Sequence, residues 1–114
     1  VSCATCHQPN GRGLEGIAPP LAGTRWPDES VERLAQIILH GLRGPITVTG
    51  KDYNLEMPAM GFFGDQDIAA ILTYIRTTWG KLSEPVTPDT ISKIRTQTRE
   101  RNDSWTIQEL LNFP

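Results

Sequence analysis

Five residues near the start constrain this chain more than any others. In Cys3-Ala4-Thr5-Cys6-His7 the only two cysteines stand three apart and a histidine follows the second at once. On a helix the two thiols and the imidazole share one face, at positions i, i+3 and i+4. A flat cofactor can meet all three together. The spacing suits a covalent haem, with thioether bonds from Cys3 and Cys6 to two vinyl groups and His7 on the iron as proximal ligand. Other chemistries that use paired cysteines fit less well. A thiol–disulfide redox pair expects a strand leading into the motif, and only Val1 and Ser2 precede Cys3. A tetrahedral zinc site needs two further ligands, and the remaining sulfur and imidazole donors are His40, Met57 and Met60. A Cys3–Cys6 disulfide would close a tiny loop and stabilise little.

The bulk properties narrow the field. A length of 114 residues, 38% hydrophobic and 21% charged, is one ordinary soluble domain with no room for a second. The net charge is -2 and the 11 basic residues form no block, so nucleic acid is not an expected partner. The apolar runs "AQIIL" and "IAAIL" are far too short to span a bilayer. No secretory signal is visible, and the abrupt start reads as that of a processed or trimmed chain.

"CATCH", "GIAPPLAG" and "MPAMGFFGDQDIAAILTYIRTTWG" together resemble the small class I c-type cytochromes, particularly the cytochrome domains and subunits of bacterial quinoprotein dehydrogenases. The resemblance runs over residues 1-80 and implies an all-α fold, the small cytochrome c fold, with helices wrapped around one covalent haem c and His and Met as axial ligands. Residues 81-114 are expected to form a helical extension packed on that core, as in some dehydrogenase-linked relatives.

Along the chain, "HQPNGRGLEGIAPPLAG" has neither helical nor alternating period and reads as a loop, one long enough to need a cofactor edge to order it. The resemblance implies that Pro19 offers its backbone carbonyl to the free ring nitrogen of His7, which would fix the tautomer. Plain stiffening of a turn by Pro19 and Pro20 is the alternative. In "DESVERLAQIILHGL" Val31, Leu34, Ile38 and Leu42 fall on one helical stripe, capped by Asp28 or Ser30 and ended by Gly41 or Gly44. His40 lies at the end of that helix, where the dipole is expected to favour a protonated ring. Iron ligation by His40 would need a bis-histidine haem, and Met57 is the better candidate.

"PITVTGKDYNL" suggests a short β-hairpin near residues 46-55. By the resemblance, Trp26, Arg43 and Tyr53 are candidate contacts to the haem propionates, against ordinary packing or a solvated charge. Both methionines fall in "EMPAMGFFGD". One is expected to complete the iron; the resemblance, and the rigidity that Pro58 lends, select Met57 over Met60. Ile68, Ile71, Leu72, Ile75 and Trp79 then mark a helix capped by Asp65 and closed by Gly80, and the resemblance implies that Tyr74 packs where this helix crosses the one bearing the motif.

In the tail, Thr87, Pro88 and the pair Val86 and Ile91 signal one helix start, and Thr106, Glu109, Trp105 and Leu110 a second. The apolar residues of this second start either clasp the body of the domain or dock a partner.

These features predict an electron carrier, not an enzyme, shuttling single electrons between a donor and an acceptor such as a dehydrogenase and a terminal oxidase. The resemblance places it in the periplasm or otherwise outside the cytoplasm. Two rivals remain: an electron-relay domain or subunit of a larger dehydrogenase or oxidase, and a gas-binding haem protein with an open sixth position.

Overall fold

The computed structural model describes residues 3, 7–8, 10–14, 18–54, 56–81 and 84–112. Cys3 and His7 have helical backbone; Cys6 lies outside the described residues. The chain then runs through a 3₁₀ turn at Trp26–Asp28, helix α1 (Val31–His40), strands β1 (Ile46–Val48) and β2 (Lys51–Tyr53), and helices α2 (Asp65–Thr78), α3 (Pro88–Gln97) and α4 (Ile107–Leu111).

Local chemistry explains most boundaries. The Ser30 hydroxyl accepts from the Arg33 amide and starts α1. Gly41 ends it with φ +84°, ψ 172°, a region in effect open only to glycine. A Cβ on Gly41 would also lie 2.5 Å from the Met57 carbonyl oxygen, so this residue both stops the helix and lets the methionine segment approach. The hairpin is antiparallel, with Ile46 opposite Tyr53 and Val48 opposite Lys51. Thr49 and Gly50 both have positive φ, the requirement of a two-residue turn that matches strand twist, so Lys51 belongs to β2 rather than to the turn.

Asp65 does not cap α2 as expected. It is the first helical residue, after Gly64, and its carboxylate is taken by the Arg95 guanidinium at 2.9 Å. Asp65 and Asp67 still favour the positive end of the helix from its first turn. Tyr74 is 57% exposed and lies edge-on to Trp79, with ring centroids 5.6 Å apart. The crossing expected of it involves the motif helix, most of which lies outside the described residues.

In the tail, Thr87 caps α3 through the Thr90 amide, with Pro88 in its first turn. Thr106 and Glu109 form a full capping box on α4. Helix α3 packs on both α1 and α2, and α1 packs on α2. One hydrophobic cluster therefore includes Leu34 and Ile38 of α1, Ile68 and Leu72 of α2, Ile91 and Ile94 of α3, and Trp105 and Leu110. Complete burial of a side chain such as Ile91 or Leu110 contributes about 1.5–3 kcal/mol.

A polar seam runs beside this cluster. Gln36, fully buried in mid-α1, donates to the Ile94 carbonyl and accepts from the Thr98 hydroxyl at 2.7 Å. The single Thr98 proton is thereby used, so Thr98 accepts from His40 Nε2–H at 2.9 Å.

Candidate functional site

His7 ends the described part of the motif, and the chain turns away at Gln8, whose φ is +67°. The described residues of the loop that follows bond to one another through backbone: the Gly13 amide donates to His7 O at 2.8 Å, Leu14 and Ala18 form a two-way bridge, and Gly11 O accepts from Leu21 and Ala22. Gly11, at φ +72°, lies under the Trp79 indole, where any Cβ would come within 2.6 Å of the ring. This contact ties the loop to the end of α2.

The loop delivers Pro19, whose carbonyl accepts from His7 Nδ1–H at 2.9 Å. Nε2 is then the ring nitrogen that carries a free lone pair. Burial lowers the His7 pKa, and the Pro19 bond opposes that only in part, so the ring is held in its neutral, ligating form. Burial likewise pushes the Cys3 thiol up, which keeps it protonated.

Cys3, His7 and Pro19 line one wall of a cavity of about 520 Å³. The other walls are largely apolar: Leu34, Ile37 and Ile38 from α1, Ile71, Leu72 and Ile75 from α2, with Trp26 and Tyr53. Met57 and Met60 both line it, Met57 half-buried and Met60 buried, and the exposed Pro58, Ala59 and Phe62 stand at its rim.

The methionine segment is fastened on two sides. Met57 exchanges two backbone bonds with Leu42, at 2.7 and 3.1 Å, and the Met60 amide donates to Ile38 O at 2.7 Å. On its other edge the same Gly41–Arg43 stretch pairs with Trp105: Trp105 N donates to Gly41 O at 2.9 Å and Arg43 N to Trp105 O at 2.8 Å. Leu42 is thus the middle of a three-stranded scrap that joins the methionine segment to the tail.

The donor set suits the expected cofactor. A thiol, an imidazole with one nitrogen already oriented, and two thioethers face one apolar space able to take a flat, largely hydrophobic macrocycle. Among the described residues no group of three or more His, Cys, Asp or Glu side chains is placed to hold a bare metal ion.

Of the candidate propionate contacts, Trp26 and Tyr53 are buried and line the cavity. Arg43 is not among the lining residues. Its guanidinium turns to the tail, donating to Ser104 O and Oγ and standing 3.8 Å from the Glu109 carboxylate, because the backbone pairing with Trp105 brings that loop beneath it. His40 is likewise outside the cavity, its ring at 6.4 Å from that of Trp105. The expectation of a protonated His40 is corrected: burial lowers its pKa, and the positive charges of Arg101 and Arg95 lower it further.

Sequence reasoning missed the Leu42 bridge and the contacts of Arg95. The buried Gln36, a polar residue amid "LAQIIL", was the one available sign of a polar seam.

Compared with known proteins, residues 1–79 match the family model described as Cytochrome c. The chain is 38% identical over 104 residues to cytochrome c-552 of Thermus thermophilus, covering 83% of this chain and 79% of that protein. It is 33% identical over 101 residues to the cytochrome c subunit of alcohol dehydrogenase (quinone) of Gluconacetobacter polyoxogenes, covering 82% of this chain and 20% of that subunit.

Proposed function

The chain belongs to the cytochrome c family, carries one covalent haem c and transfers electrons, and from that premise we propose that Cys3 and Cys6 hold the haem while His7 and Met57 bind its iron. When bound, the iron supplies a one-electron Fe(III)/Fe(II) couple.

The residues act on that couple in distinct ways. His7, oriented through Nδ1 by the Pro19 carbonyl, presents Nε2 as a neutral ligand of raised basicity. Met57 would offer a soft thioether, a ligand that favours the ferrous state and would leave no iron site open to gases. Ile37, Ile38 and Leu72 hold water away, which also disfavours the charged ferric state. Pro58 restricts the backbone beside the thioether, so Met57 loses little entropy on binding. The observation that carries this reading is the convergence of His7 Nδ1–Pro19 O and both methionines on one apolar cavity.

Residues 1-80 form the haem-bearing body and 81-114 an extension of it. The protein works outside the cytoplasm, passing single electrons from a dehydrogenase or similar donor to an acceptor such as a terminal oxidase, and turns over no substrate itself. Among the described residues no helix is long and apolar enough to cross a membrane. A relay within a larger polypeptide is the second reading, favoured by the match to one fifth of a dehydrogenase subunit. The mass of the native polypeptide separates the two.

The test is the oxidised optical spectrum. The weak near-infrared methionine-to-iron band is expected in wild type and in Met60→Ala, which loses about 2–5 kcal/mol of stability as a core truncation. Met57→Ala should lose the band, and its reduced form should shift on adding carbon monoxide. A wild-type protein that itself binds carbon monoxide at once would favour the gas-binding alternative.

A further inference from the structure

Arg95 projects from α3, in the tail, yet its three guanidinium nitrogens all end on the segment that follows the methionines. Nη1 donates to Gly61 O at 2.8 Å, Nη2 to Phe63 O at 2.8 Å, and Nε to the Asp65 carboxylate at 2.9 Å. The side chain is 33% exposed, and the two carbonyls belong to a tight turn in which Phe63 N donates to Met60 O at 3.1 Å. A planar fork of donors meets two backbone oxygens at a fixed separation, and no other side chain supplies that geometry.

Upstream, the segment is anchored by the Leu42–Met57 pair and by the bond from Met60 N to Ile38 O. Arg95 supplies the downstream anchor, and α3 is itself held to α1 by Gln36 and Thr98. The segment from Met57 to Phe63 is therefore stretched between α1 and the tail.

We propose that Arg95 is a positioning residue for the sixth iron ligand: by clamping Gly61 and Phe63 to α3 it holds the Met57 thioether on the metal, so the C-terminal extension governs how fully that position is occupied. The inference rests on the reading of Met57 as ligand. Without the clamp the segment is held from upstream alone, by the Leu42–Met57 pair and the Met60–Ile38 bond, and slack in the turn reaches Met57 through Pro58.

The experiment compares holoprotein of wild type, Met57→Ala, Arg95→Ala, Arg95→Lys and Ile94→Val, the last a mild core truncation in the same helix that leaves the three Arg95 bonds in place. Readouts are the near-infrared band, the reduction potential, carbon monoxide binding by the reduced form, and hydrogen exchange at the Met57 and Met60 amides. Arg95→Ala should weaken the band, lower the potential, speed exchange at both amides and raise carbon monoxide binding about tenfold or more, the scale on which groups supporting a ligand act. Arg95→Lys, with one donor point in place of the fork, should fall between it and wild type, and Ile94→Val should match wild type well below its melting temperature. An Arg95→Ala protein with the wild-type band, potential and inertness to carbon monoxide overturns the proposal while the Met57 reading stands. A band that survives Met57→Ala overturns both. If Arg95→Ala yields no folded holoprotein, Arg95→Lys decides: wild-type spectra and exchange in that variant overturn the clamp.

Discussion

His7 Nδ1–H donates to the carbonyl of Pro19, twelve residues further along the chain, at 2.9 Å. The acceptor belongs to the backbone, so a substitution at Pro19 does not remove it; only the stiffness that presents it changes. Pro19→Ala is expected to cost about 0.4–1 kcal/mol, mainly through a more flexible unfolded chain, and to leave the near-infrared band intact. Denaturant titration beside the oxidised spectrum checks this. Loss of the band would mean that Pro19 does more than present its carbonyl.

Gly41 is the residue least able to accept a side chain. Its backbone conformation alone makes alanine cost about 1–3 kcal/mol. The added Cβ would also meet the Met57 carbonyl at 2.5 Å, so the Leu42–Met57 pairing must open to make room. Gly41→Ala should therefore lower stability and weaken the methionine band together. A variant that is less stable yet spectroscopically normal would show that the segment relaxes elsewhere.

Ile91 is fully buried where α3 meets the rest of the core. Ile91→Ala is expected to destabilise by about 2–5 kcal/mol, as for other core truncations, in one cooperative transition followed both by Trp fluorescence and by the haem spectrum. Two separated transitions would instead mark the tail as a unit that melts alone.

The lowered pKa of His40 sets the direction of one pH effect. Burial comes first among its causes, then the charges of Arg101 and Arg95; the Thr98 hydroxyl and the Trp105 ring complete its surroundings. In the unfolded chain the ring takes a proton near its ordinary value of about 6.5. The unfolded state then binds more protons than the native one, so stability rises with pH in this range. This contribution is fully present above the unfolded pKa and is lost as pH falls through the lower folded pKa. Melting temperatures of holoprotein between mildly alkaline and mildly acidic buffer should decline toward acid, and His40→Gln should flatten part of that slope. An unchanged slope in His40→Gln would assign it to other groups.

Much of this molecule could be read directly from the chain. The stripe of α1, the paired start signals of the tail and the hairpin about Gly50 are local patterns, and local chemistry decides them. The bond from His7 to the Pro19 carbonyl, expected from the resemblance, is also present, and Met57 lines the same cavity. Asp65 was misread because a cap signal says which groups a carboxylate can serve and not which distant cation claims it first. The partners of Arg43 were hidden for the mirror reason: a positive residue beside an expected anion site gives no sign that the Ser104 loop will arrive beneath it. Arg95 gave no sign at all. Its partners are mostly backbone carbonyls, which every residue carries and no sequence pattern marks.

The pairing of Leu42 with both Met57 and Trp105 also orders events in time. A chain made from its amino end presents Leu42 and Met57 well before Trp105. Contacts between Arg43 and Ser104 span 61 residues, and closing so long a loop is slow and comes late. The Leu42 segment thus gains Trp105 as its second neighbour after it can already pair with Met57, so the tail's backing of the methionine segment is the later of the two contacts.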